Sequence, residues 1–150
     1  MDSGARARSV PGVRRDVVDH ALARRALLRS LYGGGLFTTT SSYDVCDAGV
    51  FLVRAAEAYG VLTDRTCPIC RKRPLREVAW VYGDAIGDYS GSARNAAQLE
   101  ALDRAYPEFS VHEVEVCAGC RWNHLVRSWT GGTPGTAPAK RVRQRRDSTG

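Results

Sequence analysis

Two short cysteine pairs constrain this chain more than any other feature in it. Cys67-Pro68-Ile69-Cys70 and Cys117-Ala118-Gly119-Cys120 each put two thiols on one tight turn. Two such turns brought together offer four sulfurs to one tetrahedral ion. Zn²⁺, with no redox chemistry and no d-electron preference, suits that task. The flanking residues read as strands. Leu75–Tyr82, Val111–Cys117 and Trp122–Trp129 are short, rich in Val and Trp, and alternate in polarity. In the middle one His112, Val114 and Val116 point one way and Glu113 and Glu115 the other. The first pair precedes a strand and the second joins two, which is the logic of a zinc ribbon. The stretch between the pairs exceeds the ~15–20 residues of the commonest zinc spacing. A turn-rich loop, Gly83–Gly91, and a helix over Ser92–Tyr106 take up the excess, with Pro107 as the stop.

Other chemistry is open to four cysteines. A disulfide framework fits poorly in a chain whose first thirty residues hold seven arginines and no apolar signal core. A thioredoxin-type pair needs a helix start within a βαβ pattern, and neither pair has one. Iron on four thiolates is chemically allowed. A four-thiolate zinc site has no free position to activate water, so structural Zn²⁺ is expected rather than a catalytic ion. His124, four residues past Cys120, is expected beside the sulfurs and not among the ligands. Cys46, the odd fifth cysteine, reads as a small buried hydrophobe. His20 and His112 read as structural or surface residues. No Ser/His/Asp set, carboxylate pair or nucleophile motif stands out, and no enzyme activity is expected.

The helical pattern lies upstream. Val17, Val18, Ala21, Leu22, Leu28, Leu31 and Tyr32 share one face of a helix over Val13–Tyr32, with Arg25 placed oddly in that stripe. Gly33–Gly35 ends it and is no phosphate loop, since it follows a helix and no Gly-Lys-Ser/Thr comes after it. Thr38–Ser42 is a polar linker. A second helix is capped by Asp44, buries Val45, Gly49, Leu52, Val53, Ala56 and Tyr59, and closes at Gly60.

The net charge of +6 is concentrated at the ends. Arg6, Arg8, Arg14 and Arg15 face only Asp2, and Lys140, Arg141, Arg143, Arg145 and Arg146 face only Asp147. Residues 16–130 have 13 Lys and Arg against 14 Asp and Glu. Three regions follow: a basic N-terminus, 1–13; a folded domain, 14–130; and a basic tail, 131–150, rich in Gly, Pro, Thr and Ala and expected to be disordered. The folded part keeps one local patch, Arg65, Arg71, Lys72, Arg73 and Arg76, which Arg121 and Arg127 extend around the cysteine turns. A basic edge of this kind, with Trp80, Trp122 and Trp129 nearby, fits RNA, DNA or a nucleoprotein machine of transcription or translation. The alternative is a protein–protein adaptor. With no apolar run near ~20 residues and no signal core, a cytoplasmic protein away from membranes is expected.

Several segments match a pattern in order: Arg15-Asp16-Val17-Val18-Asp19, Val45-Cys46-Asp47-Ala48, Cys67-Pro68-Ile69-Cys70, Trp80-Val81-Tyr82-Gly83, Ser90-Gly91-Ser92-Ala93-Arg94 and Val114-Glu115-Val116-Cys117 with Trp122-Asn123-His124-Leu125. Over roughly residues 14–130 the chain resembles a small actinobacterial family described only as a domain of unknown function. The Arg-over-Lys, Ala- and Gly-rich composition agrees. The resemblance implies no activity, but it puts Cys46 and the Ser90–Arg94 loop into a shared pattern. The fold expected is α+β: two N-terminal helices packed on a three-stranded antiparallel zinc-ribbon sheet with one inserted helix.

Overall fold

The computed structural model describes residues 14–32 and 45–136. The glycine run, the polar linker, the Asp44 cap and the Lys140–Arg146 cluster lie outside the described residues. Within them the order is β1 (Arg15–Asp19), α1 (Ala21–Tyr32), α2 (Val50–Tyr59), β2 (Val61–Thr66), β3 (Pro74–Tyr82), a 3₁₀ segment (Asp84–Tyr89), β4 (Ser92–Arg94), α3 (Ala96–Ala105), β5 (Phe109–Val116) and β6 (Asn123–Gly131). The α+β class is as expected.

The sheet has six strands, not three. β3, β5 and β6 are the anticipated ones and sit together. β1 is added beyond β6, β2 and β4 beyond β3, and all pairings are antiparallel. The expected first helix is a strand followed by a helix. Asp19 Oδ1 accepts the Ala21 N–H at 2.8 Å, and the helical ladder opens with Arg24 N–H to the His20 carbonyl at 2.9 Å. Upstream, the β-branched Val17 and Val18 suit a strand, and the free edge of β6 supplies backbone partners that no helical period reveals. The second helix likewise starts later than expected, at Val50. It runs into β2 through Gly60 alone, where a Cβ would lie 2.4 Å from the Ala56 carbonyl oxygen and 2.8 Å from that of Glu77. Only glycine fits there.

Alternation along β3 divides the core. Val78 packs, with half-buried Trp80 against it, in a cluster with Val116, Ala93 and Ala56 of α2. On the opposite face Val81 joins Val111, Trp129, Phe109 and Leu102 of α3. Toward the other end of that face, Leu75, Cys67, Cys117 and Trp122 meet Leu27, Leu28 and Leu31 of α1. α3 begins where Asn95 and Gln98 form a reciprocal capping box, four residues later than the period suggests.

Between these two apolar ends lies a band of charge. Glu77 and Glu115 are cross-strand neighbours, an arrangement that repels unless cations intervene. Arg65 bridges both, and Arg24 Nε adds a 2.9 Å bond to Glu115. Glu115 is fully buried and also accepts Trp122 Nε1–H at 2.6 Å. Arg24 is thus the inward arginine of α1, and Arg25, which looked out of place, is simply exposed.

Candidate metal centre

The antiparallel β3–β5 register, with Arg76 opposite Val116, brings the β2–β3 and β5–β6 turns to the same end of the sheet. Each turn carries one cysteine pair, and the two are built alike. Cys67 N–H donates to the Arg73 carbonyl at 2.8 Å and Cys117 N–H to the Trp122 carbonyl at 2.8 Å. Arg71 N–H returns to the Cys67 carbonyl and Arg121 N–H to the Cys117 carbonyl, both at 3.0 Å. Ile69 N–H points at Cys67 Sγ (3.4 Å) and Cys120 N–H at Cys117 Sγ (3.5 Å), so backbone dipoles favour thiolate. Arg71 (φ 58°) and Arg121 (φ 71°), each immediately after its second cysteine, hold the left-handed conformation that closes the turn.

The four sulfurs of Cys67, Cys70, Cys117 and Cys120 lie within 4.8 Å of one another. Cys67 to Cys120 is 3.6 Å and Cys70 to Cys117 is 3.7 Å. A tetrahedron with a metal–sulfur bond of ~2.3 Å has sulfur–sulfur edges of ~3.8 Å, so the donor set fits a tetrahedral thiophilic ion. No disulfide joins them. Burial pushes the Cys67 thiol up to about 12 and the Cys120 thiol up to about 11. Burial acts the same way on Cys70, but hydrogen bonds from the Lys72 and Arg73 backbone and from the Cys117 and Cys67 thiols outweigh it and bring it to about 7. A cation at the centre would hold all four as thiolates.

Cys46 is not an isolated core residue. Its Sγ lies 3.7 Å from Cys120 Sγ, and burial raises its thiol pKa. Two bonds tie its segment to the second turn: Ala48 N–H to the Arg121 carbonyl at 3.1 Å, and Asn123 Nδ2–H to Asp47 Oδ1 at 2.8 Å. Its only advance signal was membership of the shared pattern. His124 stands outside the sulfur cluster, stacked on Trp122 at 5.8 Å with Nδ1 2.7 Å from the Leu125 carbonyl.

The seven basic residues separate. Arg65 turns inward to Glu77 and Glu115, and Arg127 Nε sits 3.3 Å from Glu113. Arg76 is half-buried on β3. Arg71, Lys72, Arg73 and Arg121 are exposed on the turns themselves. Arg71 stands 5.3 Å from the Tyr32 ring. The Arg73 side chain crosses to the second turn, where its Cδ lies 2.7 Å from the place a Cβ on Gly119 would take. The cations of both turns therefore form one patch. Among the described residues, no helix is long and apolar enough to cross a membrane.

Residues 12–146 match the model of a family of unknown function, DUF5318, a longer span than the likeness over 14–130. The uncharacterized proteins Rv0049 of Mycobacterium tuberculosis (strain ATCC 25618 / H37Rv) and Mb0050 of Mycobacterium bovis are each 47% identical over 115 residues. Those residues cover 77% of this chain and 81% of either relative. No solved structure is a significant match. The chain belongs to the DUF5318 family, an actinobacterial family of unknown function.

Proposed function

We propose that this member of the DUF5318 family is a non-catalytic, cytoplasmic binding module of the zinc-ribbon kind, in which Cys67, Cys70, Cys117 and Cys120 hold one structural Zn²⁺. The ion staples the two turns, and the ribbon of β3, β5 and β6 carries them. Four thiolates close the coordination sphere, so the ion serves stability and leaves no position for a substrate. The module's partner is nucleic acid or a nucleoprotein machine. The observation that carries this reading is the joined patch of Arg71, Lys72, Arg73 and Arg121, cations held on the two cysteine turns while Arg65 and Arg127 are spent on internal carboxylates. Cations fixed in place neutralise phosphates and release their counterions.

The test is salt-dependent binding. A duplex and a single strand should both bind, with log–log salt slopes of ~0.9 and ~0.7 per phosphate contact respectively. Reversing Arg71, Lys72 and Arg73 to Glu should weaken both and flatten both slopes, with metal content unchanged. The exposed Val61 and Leu62 on the edge strand β2 favour a second reading, a protein–protein adaptor. Absence of salt-dependent nucleic-acid binding in the intact, metal-loaded protein would select it.

A further inference from the structure

On the face of the sheet opposite α1 and α3, α2 and the β3–β4 edge enclose an open groove of about 480 Å³. Its α2 wall is Phe51, Arg54, Ala55, Ala58 and Tyr59, residues at helical spacing on one side of the helix. The inward side, with Leu52, Val53 and Ala56, packs on the sheet. Alanine at positions 55 and 58 keeps the wall low. The floor is Trp80, and the far wall is Gly91-Ser92-Ala93-Arg94. Two segments of the shared pattern, around Trp80 and over Ser90–Arg94, thus meet at one place that the metal centre does not use.

The chemistry of the lining selects its occupant. Three aromatic rings and two guanidinium groups face the groove, and no carboxylate lines it. Phe51 is 84% exposed, a position no core requirement explains. Arg94 is half-buried with its guanidinium 5.2 Å from the Tyr89 ring, and its Nε has no hydrogen-bond partner. Rings offer stacking surfaces to bases of any identity, while arginines track a phosphate backbone. A free mononucleotide favours a cleft that buries most of its surface, whereas a groove open along its length suits a strand.

We infer that this groove binds a segment of single-stranded nucleic acid, its bases stacked on Phe51 and Trp80 and its phosphates held by Arg54 and Arg94. The inference deepens the proposed function and rests on it. It gives the module two contacts: the turn patch, which meets phosphates of any nucleic acid, and the groove, which admits only unpaired bases.

The experiment uses the full, metal-loaded chain with an oligothymidylate of about 12 nucleotides and the matching dT·dA duplex, read by anisotropy and tryptophan fluorescence. Trp122 and Trp129 are buried, so quenching on strand binding reports Trp80. Phe51→Ala and Arg54→Ala alter exposed side chains and leave the fold intact. Phe51→Ala should weaken the single strand roughly 5- to 150-fold and reduce the quenching, with duplex affinity nearly unchanged. Arg54→Ala should flatten the single-strand salt slope by ~0.7. Wild-type single-strand affinity in both variants, with loss only in the Arg71/Lys72/Arg73 reversal, would overturn the groove and leave the proposed function standing. Binding of neither nucleic acid by the unaltered protein would overturn both.

Discussion

Glu115→Ala should be among the most damaging single changes outside the cysteine centre. The carboxylate is fully buried and accepts three bonds, from Arg24 Nε and Arg65 Nη1 at 2.9 Å each and from Trp122 Nε1 at 2.6 Å. Trp122 is itself fully buried, and its N–H would be left without a partner, at a cost of ~1–3 kcal/mol. The Arg24 and Arg65 side chains keep 26% and 39% exposure, so water replaces part of what they lose and each counts nearer a surface pair, ~0–1 kcal/mol. Losing the shielding between Glu77 and its neighbours adds nothing, because Arg65 still pairs with Glu77. The sum is about 1–5 kcal/mol, reaching at its upper end the range for breaking a buried ion pair. At ~2–4 °C per kcal/mol for a chain of this size, the melting temperature should fall by about 2–20 °C. Glu115→Gln keeps an acceptor for Trp122 and should fall by about half as much. Thermal denaturation followed by far-UV circular dichroism, on samples matched for metal content, measures both. A Glu115→Ala protein melting within about 2 °C of wild type would refute this reasoning. So would equal losses in the two variants, since the buried N–H would then not be the reason.

Cys46→Ala and His124→Ala should each retain a full complement of metal by elemental analysis. Loss of the ion from either would show that the ligand set is wrong. Burial lifts the Glu113 carboxyl above its usual value against the opposing pull of Arg127. The folded chain therefore holds that proton more tightly than the unfolded one. Its contribution to stability is greatest below the ordinary carboxylate range of ~4.3 and declines as pH rises through the raised value. Glu113→Gln, which cannot ionise, should accordingly gain on wild type in urea titrations as pH rises from the ordinary carboxylate range through the raised value. A constant difference across that range would contradict the sign.

What could be read from the residues, and what could not, follows from how local each signal is. The cysteine turns were readable because two-residue spacing forces the thiols together wherever the chain goes. β3, β5 and β6 were readable because their Val and Trp alternation survives within each strand. β1, β2 and β4 are edge strands, and an edge strand is made by its neighbour. Val17 and Val18 fit a helical stripe as well as a strand until β6 offers hydrogen bonds, and Ser92–Arg94 is too short to carry a period. The placement of Glu115 opposite Glu113's neighbours was visible in the alternation, but its burial depends on Trp122 and on Arg24 from a distant helix. Cys46, 74 positions before Cys120 in sequence, is brought to it by one backbone bond and one side-chain bond that no local pattern reveals. The basic patch was overcounted for the same reason. Sequence shows that Arg65 and Arg127 are charged, and only the sheet shows that Glu115 and Glu113 already hold them.

The central claim is the metal, and its content per chain tests it most directly. Protein purified under reducing conditions should carry one zinc per chain by inductively coupled plasma mass spectrometry. Cys67→Ser and Cys120→Ser should lose the metal and unfold at least the β3–β5–β6 end of the sheet. At such sites the binding free energy, ~10–16 kcal/mol apparent in finger peptides, is folding free energy. One zinc in wild type and none in either serine variant is the expected result. Iron in place of zinc would contradict the account, as would a folded, metal-free wild-type protein with four free thiols.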